Sequence, residues 1–405
     1  MSTSLLYHGW GLKDYRYIKT EYTRRTVHFH VERKPKSRSC SACGSTDVIL
    51  KGRRQRAFRA TPIGTRRVLI VVHLHRHQCR SCGRVRLEPL SLADPKKTFT
   101  RHLGRHVLEL CRKATISDVA ELTGLPWDTI CEILRKDLEA RKKRIDWHNL
   151  KYIAIDEVSV GKGQNNYLTV VLNLETGRAV HVVQTRRKAA LASFFKRLRR
   201  SGTRLLAVAM DMHEPFRLAI IEYYKWPVAI VFDHFHVIKL FNEVLDDIRR
   251  DEVRRVEDKE GKKLIKGSRY LLLWASENLK ADGKKKLDAL LAVNETLNTA
   301  YVLKEALRAC WYTNNRAAAE AALNDWVAQA RSSDIARLEK FANTLVKHWE
   351  GILAFFDHPI STGKLEAFNN KIGVLKRKAY GYRNKNLLML RILFLHECKR
   401  QLTGF

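Results

Sequence analysis

The chain has 405 residues, 45% of them hydrophobic, so it can bury more than one core, and its length implies roughly two to four domains. Its 76 Lys and Arg against 42 Asp and Glu leave a formal charge of +34, an excess that attracts polyanions and points to a nucleic-acid partner. No apolar run approaches the roughly 18 residues needed to span a bilayer, and Met1 to Gly11 lacks a charged stretch followed by an apolar core, so no membrane role is expected and the protein is placed in the cytoplasm, with the nucleoid.

The basic residues are spread in short clusters rather than gathered in a tail: Arg53, Arg54 and Arg56; Arg141 to Arg144; Arg186 to Lys188; Arg197, Arg199 and Arg200; Lys376 to Lys378. Any one cluster reads as a solvated face, and it is their sum that argues for DNA or RNA.

The first chemical signal is a matched pair of cysteine knuckles, Cys40-Ser-Ala-Cys43-Gly44 and Cys79-Arg-Ser-Cys82-Gly83. Each Cys-x-x-Cys turn aims two sulfurs at one cation, and the glycine relieves crowding where backbone amides fold back on the thiolates. Two knuckles complete a tetrahedron, so one structural Zn²⁺ is expected on Cys40, Cys43, Cys79 and Cys82. A redox dithiol needs only one pair, and a cytosolic setting disfavours disulfides. Between the knuckles, Arg66 to His75 carries the β-branched run Val68 to Val72, as strands of a zinc ribbon would. His73, His75 and His77 are then expected on the surface or facing DNA, and Cys111, Cys131, Cys310 and Cys398, lacking partner spacing, as ordinary buried thiols.

After Pro89 and Pro95 the apolar spacing turns helical: Leu103, Val107 and Leu110, then Ile116, Val119 and Ala120, then Ile130, Leu134 and Leu138. Leu122-Thr-Gly-Leu-Pro126 separates the second helix from the third, with Gly permitting the turn and Pro fitting the next helix start. This is helix-turn-helix spacing. A helix from Trp127 to Leu138 would enter a major groove with Trp127, Asp128, Thr129, Arg135 and Lys136 outward, followed by the basic joint Arg141, Lys142, Lys143 and Arg144. A bundle used only for packing or dimerisation has the same apolar spacing.

From Lys151 the pattern becomes strands, Lys151 to Val158, Asn166 to Leu174 and Arg178 to Gln184, with Glu175-Thr-Gly-Arg178 as a hairpin turn. A helix from Lys188 to Arg200 follows, then strands Leu205 to Met210 and Val228 to Phe232, ending at Asp211 and Asp233. This is the order of a ribonuclease-H-like core, in which the first and fourth strands are central neighbours, bringing Asp156 and Asp211 together. A carboxylate in an apolar strand is costly unless paired or bound to a cation. With Glu366, the two aspartates read as a metal-binding triad for phosphodiester cleavage.

Past Val237 a charged, Leu- and Ala-rich helical stretch intervenes, including Arg254-Arg255, Lys262-Lys263 and Lys284 to Lys286. Its Trp274, Trp311, Trp326 and Trp349 fit helical apolar patterns and are expected as core anchors rather than base-stacking platforms. The chain returns at Ser361-Thr-Gly-Lys-Leu-Glu366-Ala-Phe-Asn369-Asn-Lys371. Ser361 or Thr362 would cap a helix carrying Glu366 and Asn369 on one face.

Taken together, the two knuckles, the helix-turn-helix, Ala154-Ile-Asp156-Glu157, Val208-Ala-Met-Asp211-Met212, Asp233-His-Phe-His-Val237, and Ser361-Thr-Gly-Lys-Leu-Glu366 through Gly381-Tyr-Arg-Asn384 give a chain that resembles, nearly end to end, bacterial insertion-sequence transposases of the DDE class, specifically the ISL-three group. The resemblance implies an α+β multidomain fold: a segment with a zinc ribbon over 1–92, a helix-turn-helix domain over 96–146, a ribonuclease-H-like catalytic core over 148–236 and 356–402, and an all-helical insertion over 237–355. It implies that Asp156, Asp211 and Glu366 are the catalytic triad, holding two Mg²⁺ (or Mn²⁺) ions about 4 Å apart. Asp233, ending the outer fifth strand, is the rival metal-facing acid, and it and His236 are otherwise expected to support the ligands from behind. Asn369, Lys371, Lys376, Arg377, Lys378 and Arg383 would hold the DNA backbone. The implied partners are double-stranded DNA, both the terminal inverted repeats and the target, and further copies of the chain on that DNA. One departure is Thr362, where the family pattern is expected to carry Asn; it lies outside the triad. A catalytically silent DNA-binding regulator, which the intact triad disfavours, and a structure-selective nuclease, which has less need of two recognition modules, are the alternatives.

Overall fold

The computed structural model describes residues 5–34, 39–163, 166–185, 187–313 and 315–396. They form two compact units, one up to Lys143 and one from Arg144 to His396.

The first unit opens with α1 (Leu5–Trp10) and the hairpin β1 (Tyr15–Thr23) and β2 (Thr26–Arg33). A long hairpin follows, β3 (Val48–Ile63) and β4 (Arg66–Cys79), with β5 (Val85–Leu87) pairing β4. Among the described residues the sheet order is β1-β2-β4-β3, and β2 runs parallel to β4. The β-branched run between the knuckles becomes the sheet centre because Val68, Ile70, Val72 and Leu74 alternate onto one face and are fully buried with Phe58 and Val31. Trp10 covers that core and donates its indole N–H to the Thr61 carbonyl at 3.0 Å. The β1–β2 hairpin goes beyond the expected zinc ribbon, and most of β1 is exposed.

Helices α2 (Arg101–Cys111), α3 (Ile116–Thr123) and α4 (Trp127–Lys142) follow. Thr100 caps α2 by accepting from the Leu103 amide, and Thr115 and Asp118 form a capping box on α3. Gly124, at φ 64°, ends α3 in the left-handed region and makes the turn into α4. Leu103, Val107, Ile116, Val119, Ile130, Leu134 and Leu138 are buried, whereas Leu110 and Ala120 are only partly so. The helices dock on β3: the Arg59 amide donates to the Thr98 carbonyl at 2.8 Å, and the Thr100 amide to the Arg59 carbonyl at 2.9 Å.

The second unit begins with β6 (Tyr152–Ser159), β7 (Tyr167–Asn173) and β8 (Arg178–Val183). Next come α5 (Ala192–Arg200), β9 (Ala207–Met210), α6 (Glu214–Ala219) and β10 (Ala229–Phe232). Among the described residues the sheet order is β10-β9-β6-β7-β8, with β6 antiparallel to β7 and parallel to β9. All of β9 is buried, as a central parallel strand requires. Gly177, at φ 66°, closes the β7–β8 turn.

The helices between β10 and the returning segment are α7 (His234–Arg255), α8 (Lys259–Gly267), α9 (Arg269–Leu273), α10 (Ala281–Val293), α11 (Glu295–Cys310), α12 (Arg316–Arg331), α13 (Ala336–Lys347) and α14 (Trp349–Asp357). Phe241, Trp326 and Phe341 pack edge to face with ring centroids 5.1 to 5.8 Å apart, and Trp326 donates to the Leu303 carbonyl at 2.7 Å. Trp326 is thus the core anchor the sequence suggests. Trp311 and Trp349 are only partly buried, and Trp274 is 54% exposed beside Tyr270, because α9 is a single short turn whose core contact falls to Leu272. The chain ends with α15 (Gly363–Lys378) and α16 (Lys385–Leu393). No helix among the described residues is long and apolar enough to cross a membrane.

Candidate metal centres and nucleic-acid interface

In the first unit the knuckles converge. Cys40 Sγ lies 3.7 Å from Cys82 Sγ, Cys43 Sγ lies 3.6 Å from Cys79 Sγ, and all four sulfurs fall within 4.8 Å of one another. A tetrahedral cation with metal–sulfur bonds of about 2.3 Å sets its sulfurs about 3.8 Å apart, whereas a disulfide needs about 2.05 Å. The residues therefore fit a metal. The local fold explains why: Gly44 and Gly83, at φ 77° and 69°, let their amides donate back to the Cys40 and Cys79 carbonyls at 2.9 Å. Of the other cysteines, Cys111 and Cys310 are buried and Cys131 partly so, while Cys398 lies outside the described residues. The histidines of β4 are engaged within the protein rather than free on its surface: His73 Nε2 is 3.2 Å from His30 Nδ1, and His75 Nδ1 is 3.4 Å from Glu88. The unforeseen β2 strand supplies the partner for His73.

On α4, Trp127 and Asp128 are exposed at the helix start, Thr129 is partly buried, and Arg135 and Lys136 are exposed one to two turns on. Arg135 pairs with Glu139 at 3.1 Å and Lys136 with Glu132 at 2.9 Å. These are surface pairs of small worth that phosphate or a base edge can displace. Arg141 pairs with Asp137 at 2.7 Å, while Lys142, Lys143 and Arg144 are exposed.

In the second unit the sheet register places the aspartates. Ile155 of β6 is paired with Met210 of β9, and Met210 with Phe232 of β10, so Asp156, Asp211 and Asp233 are the next residues along three adjacent strands. Burial first, and the neighbouring Asp211 carboxylate second, push the Asp156 carboxyl up to about 6. Its two oxygens accept from the Glu157 amide and from Asn369 Nδ2, each at 2.6 Å. Asn369 Oδ1 is buried with no hydrogen-bond partner among the described residues, an oxygen left over for a water or a cation. Glu366 is exposed, one turn before Asn369 on α15. Asp156 feels the Asp211 charge, but the carboxylates are not gathered: among the described residues, the cysteine tetrad is the group whose ligating atoms all lie within 4.8 Å.

His236 Nδ1 lies 2.9 Å from Asp211 Oδ1 and 3.9 Å from Asp233 Oδ2. The Asp211 carboxylate, and Asp233 beyond it, raise the imidazole to about 10 and favour its charged form. Burial would push the Asp233 carboxyl up, but the nearby His236 imidazole and hydrogen bonds from Thr362 and the Phe235 amide bring it down to about 2. Glu157 adds a further acid, its carboxylate 3.4 Å from His213 Nε2.

Along α15, Lys364 donates to the Leu174 carbonyl at 2.7 Å and the Lys376 ammonium to the Ser159 carbonyl at 2.8 Å. Lys376 is therefore partly engaged in holding the helix to the sheet. Lys371, Arg377, Lys378 and Arg383 are exposed. Thr362, one of the two expected caps of α15, makes no side-chain cap bond and is instead buried against Asp233.

Comparison with known proteins bears on both units. A family profile described as "Transposase" matches residues 153–392, and one described as "Helix-turn-helix domain of transposase family ISL3" matches residues 88–136. The transposase for insertion sequence element IS1001 of Bordetella parapertussis is 33% identical over 371 residues, 91% of each chain. The transposase for insertion sequence element IS1557 of Mycobacterium tuberculosis is 29% identical, over 91% of this chain and 88% of its own. A Drosophila P element transposase strand transfer complex aligns at TM-score 0.39 and 13% identity, over 74% of this chain and 92% of that one. The chain thus belongs to the ISL3 family of insertion-sequence transposases, DNA-binding enzymes that cut and transfer DNA strands.

Proposed function

We propose that the second unit is a ribonuclease-H-like core, over 148–236 and 356–402, interrupted by a helical insertion over 237–355, and that it cuts DNA with Asp156, Asp211 and Glu366. The observation that carries this reading is the register: Ile155 opposite Met210 is the last pair of two neighbouring parallel strands, so Asp156 and Asp211 are the next residue on each, while Asn369 ties the Glu366 helix to Asp156. Asp156, held at about 6, is a carboxylate whose ionised form is disfavoured until a cation joins it, and the adjoining Asn369 oxygen and exposed Glu366 offer further oxygen donors suited to Mg²⁺ or Mn²⁺. When bound, such ions activate the attacking oxygen and stabilise the leaving 3′ oxygen of a phosphodiester.

The chain's own residues do the rest. Charged His236 fixes the Asp211 carboxylate from one side, leaving its other oxygen for a ligand. Lys371, Arg377, Lys378 and Arg383, together with Asn369 and what Lys376 can spare, line the helix that would carry the DNA backbone past the acids. In the first unit, the four thiolates hold a structural Zn²⁺ in the segment 1–92, and the helix-turn-helix at 96–146 reads the element's terminal inverted repeats through Trp127, Thr129, Arg135 and Lys136. The basic stretch Arg141 to Arg144 grips phosphates beside them. The enzyme acts in the cytoplasm on nucleoid DNA, as a homo-oligomer that pairs two element ends.

Cleavage of end-bearing duplex DNA with Mg²⁺ tests the reading. Asp156→Asn, Asp211→Asn and Glu366→Gln should each stop cleavage with DNA binding retained. Full activity in any of them removes that residue from the triad.

A further inference from the structure

Asp233 is 1% exposed and Thr362 is 3% exposed, so their contact is sealed from water. One carboxylate oxygen, Oδ1, accepts the Phe235 amide at 3.0 Å and caps α7, the first helix after β10. The other, Oδ2, accepts both the Thr362 amide at 2.8 Å and the Thr362 hydroxyl. Thr362 stands at the N-cap of α15, where a threonine hydroxyl ordinarily bonds the first-turn amides, yet it makes no such bond. Its hydroxyl is committed to Asp233 instead. Its carbonyl, in turn, accepts the Glu366 amide at 2.9 Å and the Leu365 amide at 2.8 Å. One buried carboxylate thus joins the point where the chain leaves the sheet to the point where it returns, and the second point is hydrogen-bonded to the backbone of Glu366.

We propose that Asp233 and Thr362 form a clasp that closes the base of the helical segment and sets the position of Glu366 relative to Asp156 and Asp211. Asp233 is then a positioning residue and not a metal ligand, since its oxygens are taken by Phe235 and Thr362. The inference rests on the reading of Glu366 as a member of the triad. It explains why an aspartate on the third of three adjacent strands is sealed while Asp211, one strand nearer the centre, is open. It also explains how a helix that begins 129 residues after Asp233, counted to its Thr362 cap, can deliver an acid to a fixed place: its start is bonded to the strand end from which the helical segment departed.

The test compares Thr362→Val, which keeps shape and amide but loses the hydroxyl, with Thr362→Ser, which keeps the donor. In the full-length protein, Thr362→Val should lower the single-turnover cleavage rate on end-bearing DNA by on the order of 10²-fold, the cost of misplacing a catalytic group by about 1 Å. It should also raise the Mg²⁺ concentration for half-maximal rate, with DNA affinity unchanged. Thr362→Ser should restore both. Hydrogen exchange gives a readout independent of activity: the Leu365 and Glu366 amides should exchange faster in Thr362→Val and as in wild type in Thr362→Ser. Wild-type rate, Mg²⁺ requirement and exchange in Thr362→Val would overturn the clasp. If Thr362→Val fails to fold, Thr362→Ser decides alone, wild-type exchange and rate supporting the clasp and a loss in both opposing it. Glu366→Gln, run in parallel, separates the two ideas: if it cuts normally, the triad reading fails, while the exchange data still judge the clasp.

Discussion

Replacing Asp156 by Asn should stabilise the metal-free protein while ending its metal response. The Asp156 carboxyl sits at about 6 against an ordinary 3.8, so the folded state holds a proton more tightly than the unfolded chain. Between those two values the folded state binds more protons, and stability therefore falls as pH rises through that window and stays lowered above it. The difference of about two units corresponds to about 3 kcal/mol at pH 8. Asparagine removes that penalty but offers one acceptor where Asp156 offers two, and the Glu157 amide or Asn369 loses a bond worth about 1 kcal/mol. The net gain is about 2 kcal/mol, or about 4 to 8 °C in melting temperature for a unit of this size. Melting curves of both proteins in EDTA at pH 8, and again at pH 4 where Asp156 is largely protonated when folded, measure it. The gain should shrink at the lower pH, and saturating Mg²⁺ should raise the melting temperature of wild type alone. An Asn variant that melts lower than wild type at pH 8, or gains as much from Mg²⁺, would show that Asp156 carries no such penalty.

Purified protein should carry one zinc per chain, measurable by elemental analysis, and Cys79→Ser should lose it and melt at a lower temperature without altering the Mg²⁺ dependence of cleavage. Its retention of a full equivalent would rule out the tetrad in which Cys43 and Cys79 stand 3.6 Å apart. A fragment ending near Leu150 should discriminate terminal-repeat from scrambled duplex in gel shifts, and keep doing so as salt rises, because base contacts survive screening that phosphate contacts do not. Arg135→Ala or Thr129→Ala should reduce that discrimination by about 1 to 3 kcal/mol, whereas neutralising Arg377 and Lys378 in the full chain should weaken binding to all sequences alike and flatten the salt dependence. Lys376→Ala should differ from those two, since its ammonium also holds the Ser159 carbonyl, and should cost stability as well as affinity.

What the sequence reveals follows from how local the physics is. Strands β6 to β10 fall within a residue or two of their expected ends because continuous Val, Ile and Leu runs bounded by Gly177, Asp211 and Asp233 mark both period and termination. The knuckles are legible for the same reason, the ligand spacing being set by one turn of backbone. The β1–β2 hairpin is not, because β1 is mostly exposed and β2 finds its place only through a parallel pairing with the distant β4. Trp274 misleads because apolar spacing does not reveal that α9 ends before it. The candidate acids Asp156 and Asp211 could be named from their place in or just after an apolar strand, but the role of Thr362 could not: its partner Asp233 is 129 residues away, and threonine before a helix reads as an ordinary cap. Likewise Asn369 shows in sequence only as a neighbour of Glu366 on one face, and its bond to Asp156 comes from the packing of α15 on β6.

Anomalous diffraction from crystals of the full-length protein with element-end DNA and Mn²⁺ would locate the catalytic metal. A manganese peak is expected between the Asp156 and Asp211 carboxylates, with Glu366 drawn in as a ligand and Asp233 still bonded to Thr362. Manganese held by Asp233, or a site that leaves Asp156 without a metal, would contradict the triad.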